Sequence, residues 1–184
     1  MIPAPCMDQA ALGHAASLAA TLHRGDTAAL VWPQVETALA QLFGHRLFTI
    51  LVYDAPSATM VRVYSTRPDI NPVGGRKRVT DSRWTRHVLQ DGAIFRGSTR
   101  ADIRSVFSDY AVLWGIGCES VLNIPVRSQG VTVGSLNLLD DAGRYDAADL
   151  RVATLVAQLC VTTLQNEAKA QRAAPPSDAL LEQV

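Results

Sequence analysis

Apolar residues recur every three or four positions near the start of the chain, and this spacing predicts two helices. The first covers residues 8–23 and is followed by Gly25, a common residue just after a helix. The second begins near Asp26 or Pro33, because proline is well placed in a first turn, and it ends at Gly44. We expect the two helices to form an N-terminal helical element.

Strand-forming residues follow the helices. Residues 46–54 and 59–66 are rich in β-branched and aromatic side chains and flank a turn, so they predict an antiparallel hairpin. Residues 67–79 contain two prolines and a glycine pair without periodicity, which predicts a long loop. The pattern then predicts a helix from about Thr80 to Gln90, a strand over 93–96 and helical turns within 101–114.

A second hairpin, with strands 119–126 and 131–139, is the clearest feature of the pattern. Its predicted register places Leu122 opposite Leu136, so one face is apolar and should meet the terminal helices. The other face is more polar and suits the floor of a pocket, where a few convergent polar groups orient a ligand. Its candidate polar groups are Glu119, Asn123, Ser135 and Asn137.

A long closing helix is predicted over residues 147–169, with Asp146 as its cap. Its apolar residues cover most of the circumference, so we expect burial on more than one side, against the sheet and against the N-terminal helix or a second subunit. The tail from Gln171 contains two prolines and is expected to be frayed or disordered.

Composition supports a folded domain and excludes several functions. Of the 184 residues, 48% are hydrophobic and 18% are charged, which suits one domain with an apolar core. Seventeen basic residues balance seventeen acidic ones, and a net charge of zero argues against a protein that coats nucleic acid or an anionic membrane. We see neither a signal-peptide pattern nor an apolar run of membrane-spanning length, and we expect a cytoplasmic protein.

A specific motif lies in the second hairpin and the start of the closing helix. It consists of Gly117, the strand end Ile124, Pro125 and Val126, the turn residue Gly130, the strand from Gly134 through Ser135, Leu136 and Asn137 to Leu138, and Tyr145 before the helix. Together with the order of the predicted elements, this motif resembles the GAF domain family, a PAS-like sensory fold, over residues 34–165. Gly134 lacks a side chain, which would let a helix pack close to the strand.

The resemblance implies an α+β fold with a central antiparallel sheet. The N- and C-terminal helices would cover one face, and loops and short helices would cover a ligand pocket on the other. Residues 34–170 would form the GAF domain, 1–33 a helical segment for packing or dimerisation, and 171–184 a flexible tail. GAF domains bind cyclic nucleotides, tetrapyrroles, amino acids and other metabolites. The implied function is a small-molecule sensor or regulator that acts as a homodimer or through a protein partner.

Candidate ligand residues come from three patterns. A glycine-rich basic loop can turn N–H groups toward an anion and add guanidinium donors, and aromatic residues at helical spacing can form a lid. The alternatives are a solvated basic loop, plain aromatic core and a floor whose polar groups bond to the covering loops. The four residues of the polar floor make up the third pattern. The other candidate ligand residues are Gly74, Gly75, Arg76, Lys77, Trp84, Arg96, Tyr110 and Trp114.

Charge is unevenly distributed along the chain. Residues 62–104 contain ten basic and four acidic residues, which gives this segment a net charge of +6 and leaves −6 for the remainder. The positive segment would contribute much of the pocket cover, so we expect an anionic or zwitterionic metabolite. No metal-binding or cofactor motif is present, and we expect neither group.

Cys118 supports an alternative function. One GAF family reduces free methionine sulfoxide with a cysteine nucleophile, and Cys118 precedes a strand. Its flanking pattern does not match that family, and Cys6 and Cys160 are expected on the helical side. The bilin-type pairing of cysteine with histidine and the cyclic-nucleotide signature are absent from the sequence. A third alternative is an interaction module whose pocket is filled by its own side chains.

Overall fold

The computed structural model describes residues 9–173 and 181–183. Its helices are α1 (Gln9–His23), α2 (Ala28–Leu42), α3 (Arg100–Val106), α4 (Tyr110–Gly115), α5 (Leu150–Leu159) and α6 (Val161–Ala173), with a π-helical turn at Thr85–Gln90. Its strands are β1 (Leu47–Asp54), β2 (Thr59–Ser65), β3 (Arg76–Arg78), β4 (Phe95–Gly97), β5 (Ser120–Ser128), β6 (Val131–Asp140) and β7 (Leu181–Gln183).

The strands form one sheet in the order β4-β5-β6-β1-β2-β3-β7. The first six pair antiparallel, and β7 pairs parallel with β3 at the edge. Two apolar clusters lie on opposite faces of this sheet. The α+β class with a central antiparallel sheet is therefore confirmed.

The helical layer consists of α1, α2, α5 and α6. Side chains such as Leu18, Leu39 and Val156 pack from these helices against the apolar face of β1, β5 and β6. Gly134 of β6 permits this packing, because a Cβ there would lie 2.2 Å from the backbone oxygen of Leu51 and 2.4 Å from Leu164 Cδ2. The predicted close approach of a helix at Gly134 is therefore present, and the helix is α6.

The register of the second hairpin differs from the prediction. Leu122 lies opposite Leu138 and not Leu136. The turn has only two residues, Gln129 and Gly130, both at positive φ, and a bulge follows after Val126. Together they shift the pairing by two residues, which leaves each side chain on its predicted face because the strand period is two.

Several predicted elements differ in extent. The closing helix is two helices separated at Cys160, and its cap is Asp149, whose Oδ1 accepts from the N–H of Arg151 at 2.9 Å. Asp146 was the wrong cap, since its carboxylate accepts from the Ser98 hydroxyl at 2.5 Å. The predicted helix ending at Gln90 is mainly a π-helical turn.

Two segments predicted without strands contain one each. The predicted loop at 67–79 contains β3, and the predicted tail begins inside α6 and contains β7. Residues 1–8, 174–180 and 184 lie outside the described residues. None of the described helices is both long and apolar enough to span a membrane.

Candidate ligand site

A cavity of about 40 Å³ lies on the sheet face opposite the terminal helices. Strands β1, β2, β3, β5 and β6 form its floor and one wall, and its roof comes from Trp84 before the π-helical turn, from Asn71 and from the segment around α4. Its lining residues are Leu47, Thr49, Leu51, Arg62, Asn71, Lys77, Trp84, Phe107, Asp109, Leu113, Asn123, Asn137 and Leu139.

The polar floor is a chain of hydrogen bonds. Trp84 donates from Nε1 to Asn123 Oδ1 at 2.9 Å, and Asn123 donates from Nδ2 to Asn137 Oδ1 at 2.8 Å. Asn137 in turn donates to the backbone oxygen of Thr49 at 3.3 Å. These buried amides satisfy one another and fix the indole of Trp84 above the sheet. The floor is therefore ordered before any ligand arrives.

Two buried cations line the same cavity. Only 2% of Arg62 and 7% of Lys77 is exposed, although both side chains carry charge. Arg62 projects from β2, and its Nη1 donates to the backbone oxygen of Pro72 at 3.1 Å. Lys77 projects from β3, with Nζ 3.5 Å from Asp109 Oδ2 and 5.9 Å from the centre of the Phe107 ring.

Asp109 is the single carboxylate among the lining residues. Its Oδ2 faces Lys77, whereas its Oδ1 is buried and has no hydrogen-bond partner within the described residues. The cavity therefore combines two cationic groups with one carboxylate, whose buried Oδ1 can accept from a further donor. A buried acceptor of this kind is stabilised when a ligand supplies that donor.

The glycine pair of the predicted anion loop has a different role. A Cβ on Gly75 would lie 2.7 Å from Nη1 of Arg62 and 3.1 Å from the backbone oxygen of Pro72, so a larger residue would displace the guanidinium. Gly74 has a φ of +85°, which glycine adopts without a steric cost. The two residues shape the loop around Arg62 and do not line the cavity themselves.

The structure brings together four of the predicted site residues: Lys77, Trp84, Asn123 and Asn137 line the cavity. Arg76 pairs with Val61 in the sheet and points to the face opposite its neighbour Lys77. Ser135 is fully buried outside the cavity lining, and its hydroxyl has no hydrogen-bond partner among the described residues.

The other predicted site residues lie outside the cavity lining. Arg96 donates to the backbone oxygen of Asp146 at 3.0 Å, and Glu119 accepts from Arg100 at 2.5 Å. Tyr110 and Trp114 contact each other, with ring centres 4.7 Å apart and ring planes tilted by 58°. Leu113 is the residue of α4 that reaches the cavity, so these two aromatic side chains do not form its lid.

Sequence reasoning missed Arg62, Asn71 and Asp109. Arg62 had a signal, because it is a charge between two valines, Val61 and Val63, in the middle of a strand. A buried charge usually has a partner or a function. Asn71 and Asp109 stand in segments without periodicity, and nothing in the sequence marked them.

Cys118 is not placed as a nucleophile. The residue is fully buried, and burial raises the pKa of its thiol to about 12. Cys160 is buried in the helical layer, and burial raises its pKa to about 12 as well. Cys6 lies outside the described residues. Within the part of the chain that is described, no group of three His, Cys, Asp or Glu side chains could hold a metal ion.

A sequence profile of the GAF domain matches residues 34–165. The chain belongs to the GAF domain family. No curated protein matches it significantly in sequence. GAF domains are mostly sensory or regulatory and often bind small ligands, and the cavity of this GAF domain lies on the sheet face that the family resemblance implied.

Solved structures share the fold at low identity. The GAF domain from an Acinetobacter phosphoenolpyruvate-protein phosphotransferase is 13% identical, with a TM-score of 0.67 over 93% of this chain and 100% of that one. The free methionine-R-sulfoxide reductase from Neisseria meningitidis, solved with its substrate, is 15% identical, with a TM-score of 0.61 over 90% and 95%. The chromophore-binding domain of a bacteriophytochrome from R. palustris is 10% identical, with a TM-score of 0.62 over 90% and 65%.

Proposed function

We propose that this GAF domain is a sensory or regulatory domain that binds a small anionic or zwitterionic metabolite in the cavity. A ligand carboxylate would lie between Arg62 and Lys77. The observation that carries the proposal is that Arg62 and Lys77, two buried cationic side chains, line the same small cavity. Two such donors can hold one carboxylate through charge-assisted hydrogen bonds, which are stronger than those between neutral groups.

Asp109 extends the proposal to zwitterions. Its unpartnered Oδ1 can accept a hydrogen bond from an ammonium or hydroxyl group while Lys77 remains near Oδ2. The cavity of about 40 Å³ restricts the ligand to a short carbon chain, because one water needs about 10 to 15 Å³ of such space. Ligands with a ring system would require the roof to move.

Redox catalysis by Cys118 is the function that the geometry supports least. A nucleophilic cysteine needs an accessible thiolate with a lowered pKa, whereas Cys118 is buried and its pKa is raised to about 12. The likeness to the methionine sulfoxide reductase concerns the fold, which carries no activity on its own. We therefore propose a binding domain and not an enzyme.

Output through a homodimer is the second part of the proposal. Leu12 of α1 and Leu30 of α2 are 53% and 59% exposed, on the helices that we expected at a subunit interface. A second copy or a protein partner would cover them, and we propose that this takes place in the cytoplasm. Light scattering after size exclusion tests the dimer, and a monomer at micromolar concentrations would contradict it.

Thermal shift followed by calorimetry tests the ligand class. The panel is acetate, pyruvate, succinate, glycine and L-alanine, with acetamide and alaninamide as probes that lack the carboxylate. We expect at least one carboxylate to stabilise the protein, by an amount that rises with ligand concentration above its dissociation constant. No stabilisation by any carboxylate, or equal stabilisation by the amides, would contradict the proposal.

A pair of variants locates the site. Lys77→Gln removes a cation inside the cavity, and Arg96→Gln removes one on the outer surface. Loss of a charge-assisted hydrogen bond should weaken carboxylate binding about tenfold or more in Lys77→Gln and leave it unchanged in Arg96→Gln. An equal effect of both variants would place the ligand elsewhere.

A further inference from the structure

Strand β3 lies near the edge of the sheet beside the cavity, and strand β7 pairs with its outer side. Strand β7 pairs parallel with β3, in a register that places Leu181 opposite Arg76, Glu182 opposite Lys77 and Gln183 opposite Arg78. Strand β3 has only three residues, and on its other side it pairs with Thr59–Val61 of β2. An edge of this kind exposes N–H and C=O groups that an added strand satisfies.

Charge identifies the kind of segment that fits this edge. All three residues of β3 are basic, whereas residues 174–184 contain Asp178 and Glu182 and no Lys or Arg. Opposite charges at neighbouring positions of paired strands are favourable. An extended acidic segment is therefore the complementary occupant, and the chain supplies one.

Lys77 connects this edge to the cavity. Its backbone lies between Met60 of β2 and Glu182 of β7, while its side chain reaches the cavity beside Asp109. A group that holds the Lys77 ammonium restricts the position of the whole strand, because β3 is only three residues long. An ordered β3 in turn presents its outer edge in the geometry that β7 needs.

We propose that the β3 edge is a docking site for an extended acidic segment, that the chain's own C-terminal strand occupies it, and that docking of this strand and binding of a carboxylate in the cavity stabilise each other. The coupling rests on the proposed function of the cavity. By linkage the effect is reciprocal: release of the strand weakens ligand binding by the same factor by which loss of the ligand weakens docking. Cavity occupancy would then control whether the β3 edge and residues 181–183 are available to a partner.

Hydrogen exchange on the full chain tests the docking without any ligand. The variant Glu182→Pro/Gln183→Pro removes two of the three N–H groups of the strand. Neighbouring N–H groups of a strand point to opposite sides, so one of these two points toward β3. The control Ser177→Pro introduces proline outside β7. We expect faster exchange at residues 76–78 in the double variant and unchanged exchange in the control. Equal exchange in the double variant and the unmodified chain would overturn the docking.

Charge and coupling have separate readouts. Glu182→Lys should also speed exchange at 76–78, and Glu182→Gln should do so less. The double proline variant should bind the five carboxylates of the panel about fivefold more weakly or worse, and each bound carboxylate should slow exchange at residues 181–183 of the unmodified chain. Equal dissociation constants in the two chains would overturn the coupling. Failure of every carboxylate to bind would contradict the proposed function and the coupling, while the exchange comparison would still decide the docking.

Discussion

Replacement of Asn123 by leucine tests whether the floor of the cavity is preorganised by its own hydrogen bonds. Asn123 accepts from Trp84 Nε1 at 2.9 Å and donates to Asn137 Oδ1 at 2.8 Å, and all three residues are buried. Leucine has a similar volume and no hydrogen-bonding group. The variant therefore removes two hydrogen bonds with little change in packing.

The magnitude follows from the groups that lose their partners. Asn123→Leu leaves the Trp84 N–H donor and the Asn137 oxygen buried without a partner, and each such group costs about 1 to 3 kcal/mol. The expected loss of unfolding free energy is about 2 to 6 kcal/mol. Trp84→Phe removes the orphaned donor, so the double variant should lose less than the sum of the two single variants, by about 1 to 3 kcal/mol.

Urea unfolding followed by circular dichroism measures these free energies. Asn166→Leu on the exposed face of α6 is the matched control and should change stability by less than about 0.5 kcal/mol. A loss of less than about 1 kcal/mol in Asn123→Leu, or additive effects in the double variant, would show that these hydrogen bonds do not hold the floor. The two asparagines would then be available to a ligand and not committed to each other.

Three further predictions concern other parts of the fold. Gly134→Ala should destabilise the protein by about 1 to 3 kcal/mol or more in urea unfolding, because the new Cβ would meet the backbone oxygen of Leu51, and an unchanged midpoint would contradict the close packing. Cys118 should resist iodoacetamide at pH 8 in the native state, because burial raises its pKa to about 12, and peptide mapping by mass spectrometry should find it labelled only after unfolding. Hydrogen bonds from Thr99 in a capping box lower the pKa of Asp102. The box therefore stabilises the fold at pH values above the ordinary pKa of a carboxyl group, and this stabilisation is lost as the pH falls through the lowered pKa. Asp102→Ala should therefore cost about 1 kcal/mol at pH 7 and less at pH 2, and an equal cost at both pH values would contradict the assignment.

The sequence predicted on which face of the sheet a strand residue lies, but not which residues lie opposite each other in neighbouring strands. The two-residue period put Leu122 and Asn123 on opposite faces whatever the register, and the structure keeps them there. The register depends on a two-residue turn and a bulge after Val126, and neither has a strong residue signature here. The GAF resemblance placed the cavity on the correct side for the same reason, since it relies on the order of elements and not on exact pairing.

Strand periodicity made the cavity residues of the second hairpin predictable. Asn123 and Asn137 share one face of that hairpin and were named for this reason, whereas Lys77 was named as part of a basic loop. Asp109 and Asn71 arrive through connecting segments whose path no periodicity encodes. The helical spacing of Tyr110 and Trp114 in α4 led to a wrong prediction of a lid. Such spacing shows that two rings share a face of a helix, but not whether that face points into the cavity. In this case Leu113 takes the inward position.

The construction of the cavity roof has a consequence for the time course of binding. The helical side of the sheet is held by long helices, whereas the roof comes from Trp84 beside a six-residue π-helical turn, from loops and from the six-residue helix α4. Short elements with few buried contacts open locally at a lower free energy than the whole domain. Trp84 is buried over the floor, and we expect a ligand to reach the floor through such an opening. The observed association rate should then level off at high ligand concentration, at the opening rate of the roof. The roof would set how fast the domain responds, and the charged side chains of the cavity would set how long the ligand stays bound.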